Sequence, residues 1–302
     1  MSVQSTARFL RLRARTTHLR LPLVWARHTV LKSNDAFVAS YPRSGNTWAR
    51  FLLCEVLTGN NAEFDKVAFS LPPLRLRSRA PSVLSDGGRL FRTHEQYHFV
   101  YKKAIYFVRD PRDVAVSNYE FERVNDHLRG KNLDEFMHMY VRGKVNSFGS
   151  WQGHVRSWLD SALAATDNFL LVRYEDMRRD TERELARMLE FLGFSVAPEK
   201  IRMVVENNSL QHMRQKEDRY QGRPPEDRLV SEAGRQVRTG SVGGWRDRLT
   251  PAQASLIEHA SQELMARLGY AAGLNTDTAS TKAPFGETQL PDSDVVSGIA
   301  VN

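Results

Sequence analysis

From residue 35 onward, short apolar runs of β character alternate with stretches whose apolar residues recur every three or four positions, the pattern made by a parallel sheet covered with helices. Residues 36–41 read as a first buried strand, followed by the turn Pro42-Arg43-Ser44-Gly45. Trp48, Phe51, Leu52 and Val56 then keep helical spacing as far as Gly59, which is placed to end a helix. Residues 104–108 read as a second buried strand that runs into Asp110-Pro111, with helix from about Asp113, and residues 169–172 as a third. Thr181 and Glu184 have capping-box spacing before a helix whose apolar positions Leu185, Met188, Leu189 and Leu192 precede Gly193. Thr250, Pro251 and Gln253 repeat the start signal, and Gly269 closes the helix they open. The expected fold class is α/β, a central parallel sheet flanked by helices.

Two regions break the pattern. Residues 214–244 are rich in charge, Gly and Pro without a period, which predicts a long loop of the kind that often forms a lid. Beyond Ala271 the chain is rich in Thr, Ser, Asp and Pro with few large apolar residues, which predicts disorder. The expected organisation is a basic arm over residues 1–34, one domain over 35–270 and a disordered tail over 271–302.

Charge sharpens that division. The formal net charge of +8 is +7 in the arm, +4 in residues 35–270 and −3 in the tail. The body is therefore only mildly basic, which argues against a duplex-binding surface built on many phosphate contacts. Arg8, Arg11, Arg13, Arg15, Arg20 and Arg27 with no acid resemble a transit peptide in composition, though a basic first helix on the domain edge accounts for them more simply. The apolar stretches are much shorter than the about 20 residues that cross a bilayer. A single cysteine, Cys54, excludes an intramolecular disulfide and fits a reducing, cytoplasmic setting; its apolar helical neighbours predict a packing role.

The chemistry concentrates first in the turn of residues 41–48, Tyr-Pro-Arg-Ser-Gly-Asn-Thr-Trp. A turn from a buried strand into a helix start directs backbone N–H groups and the positive end of the helix dipole at one spot, which makes an anion site. Gly45 permits close backbone approach, Arg43 brings charge, and Ser44, Asn46 and Thr47 bring donors. The nucleotide-binding pattern GxxxxGK[ST] does not occur, so an ordinary NTPase or nucleotide kinase is not supported.

This turn resembles the 5′-phosphosulfate loop of the cytosolic-type sulfotransferases, which use 3′-phosphoadenosine 5′-phosphosulfate (PAPS). The resemblance continues in family order through residues 91–94 (FRTH), 106–117 (YFVRDPRDVAVS), 151–158 (WQGHVRSW), 172–177 (VRYEDM) and 238–245 (RTGSVGGW), and so covers roughly residues 35–270. It implies a fold similar to that of the P-loop kinases. It also implies that Arg43, Ser44, Gly45, Asn46, Thr47 and Trp48 cradle the 5′-phosphosulfate, with Trp48 near the adenine. Arg109 and Ser117 would hold the 3′-phosphate, Arg238, Thr239 and Gly240 would close over it, and Tyr174 would contact the adenine. Asn208, Ser209, Leu210 and Met213 match the rest of the adenine pocket loosely. Read without the resemblance, Arg109 would be a salt-bridge partner of Asp110 or Asp113 at a helix start.

By the same resemblance His94 is the catalytic base, and Arg43 and Arg92 neutralise charge on the bridging and departing oxygens. The reaction implied is in-line sulfuryl transfer from PAPS, as co-substrate, to a hydroxyl or amine of a glycan or polar small molecule, with no metal. The sequence departs from the family pattern at Arg43 and Arg92, where Lys is usual, at Asn46, where Thr is frequent, and at Thr239, where Lys follows Arg. Arg43 and Arg92 keep the charge but exchange a point for a fork. The basic strip at residues 75–79 lies between the loop and His94 in sequence and slightly favours a polar or anionic acceptor.

Two other readings compete. His94-Glu95-Gln96-Tyr97-His98 fits the zinc-peptidase pattern HExxH, but zinc binding needs both histidines on one helix face and a third ligand, and Phe99-Val100-Tyr101 continues as strand or loop. A basic anion- or nucleic-acid-binding module is the non-enzymatic alternative; the preferred reading has no nucleic-acid partner. His154, at helical spacing from Trp151 and Trp158, reads as a core residue. Oligomeric state is left open, a homodimer included.

Overall fold

The computed structural model describes residues 26, 28–74, 80–124, 130–220, 237 and 240–271. Nearly all of the basic arm, the tail, the strip at 75–79 and most of the predicted lid, with Arg238 and Thr239, lie outside the described residues.

Four strands form one sheet, β1 (Ala36–Ser40), β2 (Leu90–Thr93), β3 (Ala104–Val108) and β4 (Phe169–Arg173), in the order β2-β1-β3-β4. Every pairing is parallel, with Val38 opposite Arg92 and Ile105, and Phe107 opposite Val172. Strands buried on both faces need apolar residues at every position, and β1 and β3 are buried throughout. Their side chains still alternate: Phe37, Ala39, Tyr106 and Val108 join one core, while Ala36, Val38, Ile105 and Phe107 join the other.

The first core is roofed by α3 (Pro111–Val124), α4 (Leu133–Val141), α5 (Trp151–Leu159) and α10 (Pro251–Arg267), the second by α1 (Asn46–Thr58), α2 (Phe64–Ser70), α6 (Tyr174–Arg179), α7 (Thr181–Phe191), α8 (Pro198–Asn207) and α9 (Leu210–Arg219). Fully buried Trp151, Trp158 and Trp245 fill the first layer. Cys54 is buried in the second, as its helical neighbours predicted.

Most start and stop signals work as read. Gly59 (φ 68°) closes α1 with its N–H on the Glu55 carbonyl, and the Thr250–Gln253 capping box is formed. Two expectations need correction. The cap of α7 is Asp180, which accepts from the Arg183 amide, whereas the Thr181 hydroxyl donates to the Met177 carbonyl, so the Thr181–Glu184 box is not formed. A carboxylate one residue upstream outcompetes the threonine for the same orphan amides. Residues 214–219 are the end of α9 and not loop; Ser209 caps that helix through the His212 amide, and Met213 packs it into the core.

Candidate active site

Each of the four strands ends at a residue that the sequence had singled out or adjoins one: β1 at the turn of residues 41–45, β2 at His94, β3 at Arg109 and β4 at Tyr174. A parallel sheet collects its ligand groups at the carboxyl edge, around the point where strand order reverses, here between β1 and β3.

The β1–α1 turn passes through two left-handed residues, Arg43 (φ 72°) and Gly45 (φ 96°). Position 45 must be glycine for a second reason: a Cβ there would lie 2.6 Å from Tyr174 Cδ2. Gly45 is also the N-cap of α1, and no side chain caps that end, so the first amides of a thirteen-residue helix are left for another acceptor. Among the described residues the buried Ser44 hydroxyl has no hydrogen-bond partner, and Asn46 donates to the Val38 carbonyl and to Ser40 Oγ at 3.1 and 3.3 Å. An orphan hydroxyl, an uncapped helix start and a side-chain-free approach fit an anion bearing tetrahedral oxygens.

Arg43, Arg109 and Ser117 come together. Arg43 Nε donates to Ser117 Oγ at 3.1 Å and its guanidinium lies 4.9 Å from the Phe121 ring, so its charge sits on the α3 side of the turn. Arg109 donates to the Arg43 carbonyl at 3.3 Å and the Ser241 carbonyl at 2.9 Å, lies over the Tyr174 ring at 4.3 Å, and has a buried Nε that bonds none of the described residues. Of its two suggested ion partners, Asp113 is 3.8 Å away, while Asp110 binds Arg112 at 2.7 Å. Arg109 thus joins the turn after β1 to the segment that returns after residue 240.

Tyr174 is where the pieces meet. Besides Gly45 and Arg109 it meets Trp48, ring centroids 6.4 Å apart, and its hydroxyl lies 3.4 Å from where a Cβ on Gly240 would be. The Trp48 indole donates to the Asn208 carbonyl at 2.9 Å, so the loosely matched Asn208 contributes its backbone. Two residues escaped the sequence reading. Arg178, one turn after Tyr174, lies 5.5 Å over the Trp48 ring; its spacing from Tyr174 on a helix was the available signal. Asp113, considered only as a partner for Arg109, accepts from the Gly243 and Trp245 amides at 2.8 and 3.0 Å and fastens the return segment to α3. Only the tertiary structure brings residues 113 and 243 together.

His94 follows β2. Its Nδ1 is 2.8 Å from the Ser40 carbonyl oxygen, which can only accept, so Nδ1 carries the proton and Nε2 carries the lone pair. Burial, then the positive charge of Arg92, pulls its pKa down to about 3. Arg50 adds to this effect; it donates to the Val67 and Leu71 carbonyls at the end of α2, and burial lowers its own pKa to about 9. His94 is therefore a neutral imidazole with an accepting Nε2, Phe148 lying 5.8 Å from its ring. Residues 94–101 are not helical, and His98 instead stacks on His28 at 4.3 Å, so the helix that HExxH requires is not formed.

The fold and the carboxyl-edge site define an α/β protein with a glycine turn and a helix start without a side-chain cap between its first strand and helix. The family model for the sulfotransferase domain matches residues 33–269, and the chain belongs to that family. It is 30% identical over 255 residues to mouse sulfotransferase 2A2, covering 78% of this chain and 86% of that protein. To human sulfotransferase 2A1 it is 30% identical over 257 residues, covering 79% and 87%. Among solved structures it is similar in fold to mouse sulfotransferase SULT7A1 complexed with PAP, with a TM-score of 0.61 at 24% identity, covering 80% of this chain and 89% of that one.

Proposed function

We propose that this sulfotransferase takes PAPS as its co-substrate and a hydroxyl-bearing small molecule as acceptor, with His94 as the base. The observation that carries the reading is the convergence at one sheet edge of an uncapped helix start, the orphan Ser44 hydroxyl, the Arg109–Arg43–Ser117 cluster and a neutral histidine with an accepting Nε2. A ligand with two anionic ends needs two donor clusters, and two are present. Ser44, Gly45, Asn46, Thr47 and Trp48 would hold the 5′ end, with Tyr174 and Trp48 as aromatic walls for the base. Arg109 and Ser117, with Gly240 and with Arg238 and Thr239 beyond the described residues, would hold the 3′-phosphate.

Bound there, the co-substrate supplies the sulfuryl group and a phosphate leaving group. His94 Nε2 receives the acceptor's proton, while Arg92, whose charge His94 already feels, offers positive charge where negative charge develops; Arg43, expected from the sequence to act there too, is turned to Ser117 and would add its charge on the 3′-phosphate side. A guinea-pig relative, 30% identical over 255 residues, is named a 3-beta-hydroxysteroid sulfotransferase, which supports a small-molecule acceptor over a macromolecular one.

Calorimetry with 3′-phosphoadenosine 5′-phosphate against 5′-AMP tests the reading. The 3′-phosphate gives charge-assisted bonds of about 1.5–3 kcal/mol each, so it should bind at least tenfold more tightly; equal affinities reject the assignment.

A further inference from the structure

Residues 154, 157 and 158 of α5, three and four positions apart, share one face of the helix. All three bond the backbone of the loop that carries His94. His154 Nε2 lies 3.1 Å from the His94 carbonyl oxygen, the Trp158 indole donates to the Glu95 carbonyl at 3.1 Å, and Ser157 Oγ accepts from the Tyr97 amide at 3.1 Å. Because a carbonyl oxygen only accepts, His154 carries its proton on Nε2, and Nδ1 accepts from the Tyr106 hydroxyl at 2.9 Å. His154 and Tyr106 are both 0% exposed, so neither has water as an alternative partner. Edge-on contact with Tyr41 at 5.5 Å and stacking on Tyr106 at 5.9 Å hold the His154 ring.

We propose that His154 is a positioning residue for His94: Tyr106 sets its tautomer, and its Nε2–H holds the His94 backbone so that the His94 ring stays with Nδ1–H on Ser40 and Nε2 open to the acceptor's proton. The inference rests on His94 being the base. The Ser40 carbonyl fixes the ring and tautomer of His94 only while the backbone stays in place, and a misplacement of about 1 Å at a reacting group can cost 10²-fold in rate. Burial lowers the pKa of His154 to about 4, so the proton arrangement holds at neutral pH.

The test combines steady-state kinetics with 15N–1H spectra of histidine-labelled protein. His154→Phe removes the donor and should lower kcat roughly 10- to 100-fold, with acceptor KM and affinity for 3′-phosphoadenosine 5′-phosphate unchanged. His154→Gln, whose amide nitrogen can occupy the place of Nε2, should recover most of that loss. In the spectra His94 should show the Nδ1–H tautomer in wild type and in His154→Gln, and tautomer averaging in His154→Phe. Equal kcat losses in both variants with an unaltered His94 spectrum would reduce His154 to a packing residue and overturn the proposal. Should His154→Phe fail to fold, Tyr106→Phe carries the test: a several-fold fall in kcat with tautomer averaging at His94 supports the positioning role, and an unchanged kcat and spectrum overturn it. If no acceptor is turned over, the functional reading falls, while the spectra of His94 still decide whether His154 holds it.

Discussion

At His94 one ring nitrogen bonds Ser40 and the other is the proposed proton acceptor, and a substitution should separate that role from nucleotide binding. His94→Ala should lower turnover by about 10²- to 10⁴-fold with affinity for 3′-phosphoadenosine 5′-phosphate nearly unchanged, because a base at this position would act on the acceptor and not on the nucleotide. His98→Ala, which removes a ring stacked on His28 and Phe99 and an acceptor for the Val100 amide, should do much less in the same assay. Equal losses in the two variants would count against the assignment. His94 and His154 also predict a pH dependence of stability. Their pKa values lie near 3 and 4 in the folded protein and near 6.5 unfolded, so between those limits the unfolded chain binds more protons. Their stabilising effect is complete above pH 6.5 and declines as the pH falls toward 4. In denaturant titrations across pH 7 to 4, His154→Gln should lose stability less steeply than wild type. His94 was legible only through the order of its motif among the others, since a single histidine among nine says little; the bond to Ser40 that sets its tautomer spans 54 positions and leaves no local pattern.

Among the elements, the return segment after residue 240 depends on one carboxylate. Asp113→Ala would leave the amides of Gly243 and Trp245 without their partner at a site where Trp245 is buried, costing about 2 kcal/mol and a fall in melting temperature of roughly 4–8 °C. Nucleotide affinity should weaken as well, because Ser241 in that segment accepts from Arg109; thermal unfolding and calorimetry on one preparation check both. Thr250→Ala, which breaks the capping box of α10 and removes no hydrogen bond to a residue proposed to hold the nucleotide, should cost about 1 kcal/mol and leave nucleotide affinity alone. Helix signals were readable where caps and periodicity agree, as at Thr250 and Gly59. They misled where two capping residues are adjacent, as at Asp180 and Thr181, and where a charged stretch such as residues 214–219 continues a helix whose cap and apolar anchor lie upstream. Strand β2 is four residues long, too short to show a period, and its place at the sheet edge comes from pairing with β1.

In the molecule as a whole, the sheet separates two cores that share β1 and β3, residue by alternate residue. Opening one layer exposes strands that the other needs, so the body should unfold in one step. Tryptophan fluorescence, dominated by Trp151, Trp158 and Trp245 of one layer, and far-ultraviolet circular dichroism, dominated by helices of both, should give coincident denaturant transitions. A nucleotide held by residues from β1, β3 and β4 alike should shift that single transition, by about 2.7 kcal/mol at a hundred times its Kd. Two separated transitions, or a ligand shift confined to one probe, would contradict this arrangement.

The order of apolar runs, the caps at Gly59 and Thr250, and the succession of turn, FRTH, Arg109 segment and WQGHVRSW determined by themselves that the chain is an α/β protein of the sulfotransferase family, because periodicity and motif order are properties of the chain. Contacts between distant segments were decided only by the tertiary structure. Strand order places residues 41–45, 94, 109 and 174 at one edge; Asp113 meets Gly243 because α3 and the return segment cross there. His154, readable in sequence as a core residue, becomes a support for His94 because α5 packs against the loop after β2, and a hydrogen bond across 60 positions exists only once the backbone has brought its two ends together.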